Sequence, residues 1–170
     1  ILEACKNYNP NVKIVFASTR QIYGKPIYLP VDENHPIQPI DVNGINKFAG
    51  ESYHILYHNV YGINSTVLRL TNTFGQKMRI KDSKQTFLGI WLRNVLENKP
   101  ICIYGDGSQL RDLNYIDDVV NALLMVAIYS KSNGKVYNLG SKEIISLNDL
   151  AEKGEKGYLA LKIVEIIGED

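Results

Sequence analysis

Short strand-like runs alternate with stretches of helical periodicity along this chain. Residues 12–17 read Val-Lys-Ile-Val-Phe-Ala, and further strand candidates stand at 65–70 and 136–139. A short, mostly apolar run suits a strand that is buried on both faces of a parallel sheet, because helices then cover both faces. The sequence therefore predicts an α/β protein with a largely parallel sheet.

The longest helical pattern lies between residues 43 and 61, where apolar positions recur at the spacing of an α-helix. Gly62 stands where a C-terminal cap belongs, and Ser146 is a predicted N-cap. The other predicted elements are helices at about 83–97, at about 116–130 and from Leu147 onward, and a short strand at 101–104.

The amino-acid composition limits the classes of partner that the chain is expected to bind. The 170 residues carry a formal net charge of +1, which gives no reason to expect nucleic acid or a membrane surface as a partner. No apolar run approaches the ~18 residues that a membrane span needs. Cys5 and Cys102 make no disulfide framework, so we expect cytoplasmic residence, with Cys102 as a buried core thiol. The chain starts without Met inside a predicted helix, and we expect a piece of a longer protein.

Four segments in order carry a family resemblance. They are 16–24 (Phe-Ala-Ser-Thr-Arg-Gln-Ile-Tyr-Gly), 41–51 (Asp-Val-Asn-Gly-Ile-Asn-Lys-Phe-Ala-Gly-Glu), 69–75 and 103–112. Together they resemble the extended short-chain dehydrogenases/reductases, the NAD-dependent nucleotide-sugar epimerases and dehydratases. The resemblance spans residues 12–150. It implies part of a Rossmann-like parallel sheet with flanking helices, plus part of a smaller substrate-binding region.

The resemblance also implies a division of the chain. Residues 1–75 would be the C-terminal half of the dinucleotide-binding domain with its active-site helix. Residues 76–170 would mix the substrate-binding region with returning Rossmann elements. The glycine-rich phosphate loop of such a fold does not occur in this sequence. We therefore expect the chain alone to bind NAD weakly and to turn over nothing.

In the resembled family, a Ser or Thr at a strand end orients the sugar hydroxyl, and a Tyr-x-x-x-Lys pair follows. The Lys favours the ionised phenol and holds the nicotinamide ribose. Thr19 and Lys47 match, whereas Asn43 occupies the tyrosine position. The resemblance implies catalytic roles for these three residues. It implies cofactor contacts from Lys47, Ser18 and Thr71, with NAD as the cofactor and NADP not excluded.

An asparagine at this position changes the expected chemistry. An amide takes up no proton at accessible pH, and losing a general base typically costs 10²–10⁴-fold in rate. Three hypotheses follow. Another base acts, with Asp41, Glu33, Tyr28 or Tyr61 as candidates; the protein binds without turnover; or it acts slowly through water. As a purely structural residue, Asn43 would be a helix N-cap.

The substrate side of the resemblance is more complete. It implies that Asn72, Arg111 and Tyr104 contact the nucleotide sugar, with the Arg111 fork gripping the diphosphate. The alternative for Arg111 is a surface ion pair with Asp112 or Asp117.

The family's 4,6-dehydratases carry acidic residues directly after the strand-end threonine. This chain has Arg20 and Gln21 there, which argues against 4,6-dehydration. His54 and His58 stand at helical spacing but lack a third ligand, and we interpret them as exposed helix residues, with no metal site.

The function predicted is that of an NAD-dependent nucleotide-sugar epimerase-like oxidoreductase, acting by transient oxidation of a sugar hydroxyl. The alternative is a non-catalytic nucleotide-sugar or NAD-binding or regulatory member of the same fold. Helix 43–61 would allow a homodimer, because its face from Phe48 to Tyr57 is apolar.

Overall fold

A computed structural model describes residues 1–80, 86–141 and 143–155. The helices are α1 (Leu2–Tyr8), α2 (Val42–Tyr61), α3 (Phe87–Leu96), α4 (Ile116–Ile128) and α5 (Leu147–Glu155). The strands are β1 (Lys13–Thr19), β2 (Asn64–Leu70), β3 (Asn72–Phe74), β4 (Leu110–Tyr115), β5 (Val136–Leu139) and β6 (Ile144–Ser146). The chain divides into two compact units. Unit 1 comprises Ile1–Thr71 and Asp118–Gly140, and unit 2 comprises Asn72–Asp117 and the described residues from Ser141 onward.

Unit 1 is built on a parallel sheet with the strand order β1-β2-β5. Its central strand, β2, is buried from Ser65 to Arg69, since it has a strand on each side and helix α2 packs against it. The predicted α/β class with a parallel sheet and flanking helices is confirmed.

Helix α2 begins one residue before the predicted position 43. Its N-cap is Asp41, whose Oδ1 accepts the N–H of Gly44 at 2.7 Å. The N-cap role considered for Asn43 is therefore wrong, because Asn43 lies inside the first turn. The helix ends at Gly62, in the left-handed conformation with φ 70°, as predicted. A Cβ on Gly50 would lie 2.7 Å from the Phe16 ring, so glycine is what allows α2 to approach β1 this closely.

Unit 2 has a smaller sheet, in which β4 pairs in parallel with β3 and antiparallel with β6. Its core is formed by Leu88, Trp91, Leu92, Leu147, Leu150 and Ala151. The predicted cap at Ser146 is confirmed, since its Oγ accepts the Asp149 N–H at 3.1 Å. The predicted boundary between residues 75 and 76 lies close to Thr71, where the first segment of unit 1 ends, and the domain division itself stays a prediction.

Three expectations need correction. Residues 101–104 form no strand, and Cys102 is exposed because no sheet carries it into the core. His54 is buried rather than exposed, since it faces β2 and stacks on Phe16. The start of the helix predicted at about 83 falls outside the described residues, and α3 is described from Phe87. None of the helices described is long and apolar enough to cross a membrane.

Candidate active site

The end of β1 leads directly into a turn of 3₁₀-helix, Arg20–Tyr23, and Thr19 caps that turn. The Thr19 Oγ1 accepts the Gln21 N–H at 3.3 Å and donates to the Gln21 Oε1 at 3.4 Å. The predicted catalytic hydroxyl is therefore only partly buried, at the carboxyl end of a parallel strand, where sites of α/β proteins are usually found.

Gln21 connects this strand end to the start of α2. Its Oε1 accepts a hydrogen bond from Asn43 Nδ2, and its Nε2 donates to Asp41 Oδ2 at 2.9 Å. The structure thus brings Thr19 and Asn43 to the same amide. The sequence indicates only that Gln21 cannot be a carboxylate base, and nothing in its spacing predicts this bridge.

Lys47 lies on the same helix and is anchored to the same strand. Its Nζ donates to the Ala17 carbonyl at 2.7 Å and lies 5.3 Å from the centre of the Phe16 ring. An ammonium group has three N–H donors. One is used here, and the side chain is partly exposed, so the group fits a role in holding the hydroxyls of a ribose.

The other two predicted cofactor residues differ in exposure. Ser18 is buried, and its hydroxyl donates to Glu51 Oε2 at 3.0 Å. Thr71 is partly exposed just after β2, and its N–H donates to the Leu139 carbonyl at 3.3 Å. The structure gives Ser18 a structural partner, and cofactor contact by either residue stays a prediction.

A buried polar network behind the site was not anticipated. Arg69 forms an ion pair with Glu51 and donates to the Tyr23 hydroxyl at 2.6 Å. Tyr23 in turn donates to Asn138 Oδ1 at 2.7 Å. Burial raises the pKa of Tyr23, which keeps this phenol protonated. One signal was available in the sequence: Arg69 is the only charged residue within the strand candidate 65–70.

The structure also locates the alternative bases. The Tyr28 hydroxyl donates to Asp32 Oδ1 at 2.7 Å, and this hydrogen bond raises the pKa of Tyr28 to about 12. Tyr61 ends α2, eighteen residues after Asn43 and therefore roughly 27 Å along the helix axis. Tyr61 is therefore too far from Asn43 to replace the missing phenol, whereas Tyr28 has Asp32 as its hydrogen-bond partner.

The two carboxylate candidates already have hydrogen-bond partners. Glu33 Oε1 accepts the Asn138 N–H at 2.6 Å. Asp41 caps α2 through Oδ1 and accepts from Gln21 through Oδ2. Of the two, Asp41 is the one linked to Asn43, through the Gln21 amide.

Two of the predicted substrate residues lie on the neighbouring strands β3 and β4 of unit 2. Asn72 Nδ2 donates to the Asp112 carbonyl at 3.3 Å. Arg111 donates to the Leu110 carbonyl at 2.9 Å, and its guanidinium lies 5.7 Å from the centre of the Phe87 ring.

The ion pair considered for Arg111 is not formed. The Asp112 carboxylate instead accepts the Ser141 N–H at 2.7 Å. Within the described part of the chain, the Arg111 guanidinium has no carboxylate partner, which leaves most of its donors for a ligand.

The third predicted substrate residue, Tyr104, is 84% exposed. Its carbonyl accepts Gln109 Nε2 at 3.1 Å, just before a turn in which Gly105 and Gly107 have φ 82° and 74°. This turn presents the Tyr104 ring to solvent, and contact with a nucleotide sugar stays a prediction. The described residues contain no group of three or more His, Cys, Asp or Glu side chains that could hold a metal ion.

Comparison with known proteins gives a consistent picture. The family model described as "NAD dependent epimerase/dehydratase family" matches residues 1–140. A Methanocaldococcus jannaschii relative, assigned as a UDP-glucose 4-epimerase, is 39% identical over 161 residues, which cover 93% of this chain and 51% of the relative. The chain thus spans about half the length of that curated relative.

Two solved structures show the same fold. UDP-glucose 4-epimerase from Thermotoga maritima, solved with UDP-glucose, is 30% identical with a TM-score of 0.83, covering 91% of this chain and 50% of that one. UDP-glucuronic acid 4-epimerase from Bacillus cereus, solved with UDP-glucuronic acid and NAD, is 33% identical with a TM-score of 0.81, covering 91% and 48%. Both support the Rossmann-like architecture of the parallel sheet.

Proposed function

Because the chain belongs to the NAD-dependent epimerase/dehydratase family, we propose that it supplies the nicotinamide-side and sugar-side residues of a nucleotide-sugar epimerase-like oxidoreductase. The observation that carries this proposal is the arrangement at the end of β1. Thr19 and Asn43 share Gln21 as a partner, and Lys47 is anchored one strand position before Ser18. We therefore propose that β1 and α2 are the family's active-site strand and helix, with Asn43 at the position of the tyrosine.

NAD, when bound, would accept hydride from the carbinol carbon of the sugar. Lys47 would hold the nicotinamide ribose with the two N–H groups that its Ala17 contact leaves over, and Ser18 and Thr71 are the further proposed cofactor residues. Thr19 would orient the reacting hydroxyl. Asn43 Oδ1 can accept a hydrogen bond from that hydroxyl but cannot take its proton.

In unit 2, the proposed contacts to the nucleotide sugar come from Arg111, Asn72 and Tyr104. The support for Arg111 is that no carboxylate neutralises its guanidinium within the described residues. A planar fork of N–H donors suits the oxygens of a diphosphate.

The second candidate function is binding without turnover, by a regulatory member of the same fold. It is favoured by the amide at position 43 and by the hydrogen bonds that already engage Asp41 and Glu33. Dehydration at carbons 4 and 6 is not proposed, because Gln21 is an amide that bridges two side chains.

The proposal also covers the oligomeric state, the cofactor and the cellular location. We propose a homodimer through α2, where Ile45, Tyr53 and Leu56 are exposed apolar residues. The proposed cofactor is NAD, with NADP not excluded, and cytoplasmic residence, expected from the cysteine usage, is part of the same proposal.

The experiment uses the full-length protein, incubated with NAD and a panel of UDP-, dTDP-, GDP- and CDP-sugars. The anomeric and ring protons are followed by NMR. A new epimer supports catalysis without the tyrosine. Line broadening of a sugar without any new species supports the binding function instead. A protein that neither broadens nor converts any sugar in the panel contradicts both.

A further inference from the structure

We infer that Gln21 determines specificity by holding the Asn43 amide with its carbonyl oxygen toward the sugar. The site would then prefer a hydroxyl group, which donates a hydrogen bond, over a ketone or a fluorine, which only accepts. This inference rests on the proposed function, because it concerns the sugar that Asn43 would face.

The Asp41 carboxylate sets the direction of these hydrogen bonds, because it has no hydrogen to donate. One of its oxygens accepts the Gly44 N–H at 2.7 Å, and the other accepts from Gln21 at 2.9 Å. The group of Gln21 that faces Asp41 must therefore be its NH₂. In this way a helix cap sets the orientation of a side-chain amide.

The orientation is passed on to Asn43. With its nitrogen toward Asp41, Gln21 turns its oxygen toward Asn43 and Thr19, and it accepts from both. Asn43 must then offer its own nitrogen to Gln21, which leaves Asn43 Oδ1 as the outward atom. The Asn43 side chain is exposed, and its Oδ1 has no partner among the residues that the structure describes.

The consequence for a ligand follows from hydrogen-bond polarity. A sugar hydroxyl next to Asn43 can donate to Oδ1, whereas a carbonyl or fluorine there would set two acceptors against each other. An unmatched polar contact of this kind costs roughly a factor of ten or more in affinity. The arrangement therefore favours the alcohol form of the sugar over its oxidised form.

The test compares two ligands that differ in one donor, UDP-glucuronic acid and UDP-4-deoxy-4-fluoro-glucuronic acid. Both dissociation constants are measured by calorimetry on the full-length protein with NAD present. For the wild type we expect the hydroxyl ligand to bind about tenfold more tightly.

The decisive variant is Asp41→Asn, which reverses donor and acceptor in the hydrogen bond between position 41 and Gln21. Asn is as good an N-cap as Asp, so α2 keeps its start. The NH₂ group of the new Asn at position 41 would face Gln21, so Gln21 would turn its own oxygen toward position 41. The Gln21 NH₂ group would then face Asn43, which would turn the NH₂ group of Asn43 outward. We expect the tenfold preference to fall to within about twofold or to reverse.

Asp32→Asn is the matched control. Like Asp41→Asn, it removes one negative charge from unit 1. The Asp32 carboxylate accepts hydrogen bonds from the Tyr28 hydroxyl and the Asn34 N–H, and it is not linked to Gln21. The ligand preference should stay at its wild-type value. A preference that is equal in wild type, Asp41→Asn and Asp32→Asn overturns the inference.

A second measurement needs no sugar. In the wild type, NMR should detect a through-hydrogen-bond coupling from the Asn43 side-chain nitrogen to the Gln21 carbonyl carbon. In Asp41→Asn, the coupling should instead run from the Gln21 nitrogen to the Asn43 carbonyl carbon. Unchanged couplings in the variant overturn the inference. The expected couplings in a protein that binds no sugar of the nucleotide-sugar panel support the amide orientation and overturn the proposed function.

Discussion

Arg69 and Glu51 form an ion pair inside unit 1, with only 5% and 1% of their side chains exposed. Arg69 lies on the central strand β2, and Glu51 lies on α2, one turn after Lys47. The pair therefore ties the helix that carries Asn43 and Lys47 to the sheet. Ser18 and Tyr23 satisfy further hydrogen bonds of the pair.

Removing one partner of this pair should be costly. Arg69→Met leaves a buried carboxylate without its counter-charge, and we expect the free energy of unfolding to fall by about 3–5 kcal/mol. Denaturant titration of the full-length protein measures the change. The double variant Glu51→Gln with Arg69→Met should lose less free energy of unfolding than the sum of the losses in the two single variants. A loss below about 1 kcal/mol for Arg69→Met would contradict the role given to the pair.

Asn43→Tyr tests whether the rest of the site is intact. The new phenol would stand four residues before Lys47, where a cation favours its ionised form. If catalysis lacks only this general base, turnover in the full-length protein should rise by about 10²–10⁴-fold. Asn43→Phe supplies the ring without the hydroxyl and should give no rise. A loss of rate in Asn43→Tyr would show that Asn43 serves different chemistry.

Arg111→Met separates binding from stability. The guanidinium contacts only a carbonyl and a ring within the described residues, so unfolding should change by no more than about 0.5 kcal/mol. Binding of UDP-sugars should weaken by about tenfold or more, since charge-assisted hydrogen bonds contribute about 1.5–3 kcal/mol. Arg111→Lys keeps the charge and loses the fork, and intermediate affinity is expected. Unchanged affinity in both variants would place the diphosphate elsewhere.

His54 should make stability depend on pH. Burial lowers its pKa, and its Nδ1 lies 2.7 Å from Ser65 Oγ. Below the unfolded value of about 6.5, the unfolded chain binds a proton that the folded chain resists. The free energy of unfolding should therefore fall as the pH drops from about 6.5, by at most about 1.4 kcal/mol per unit.

The comparison variant for this titration is His54→Gln, which keeps a hydrogen-bonding group toward Ser65. The two proteins are identical at every other residue, so the difference between the two stability curves isolates His54. Parallel curves from pH 7 to 5 would contradict the prediction.

The sequence by itself determined the α/β class, the strands near 13–19 and 64–70, the helix near 42–61 with its Gly62 cap, and the family. These depend on local periodicity and on motifs whose residues are close together in the chain. For the same reason, the absence of a tyrosine at position 43 could be read from the sequence.

Only the tertiary structure decided which side chains meet. Glu51 and Arg69 are far apart in sequence, and Gln21 meets Asn43 across a long proline-containing loop. Such pairings depend on how β1, β2 and α2 pack, and no local pattern encodes them. The burial of His54, the exposure of Cys102 and the lack of a carboxylate partner for Arg111 within the described residues follow from packing in the same way.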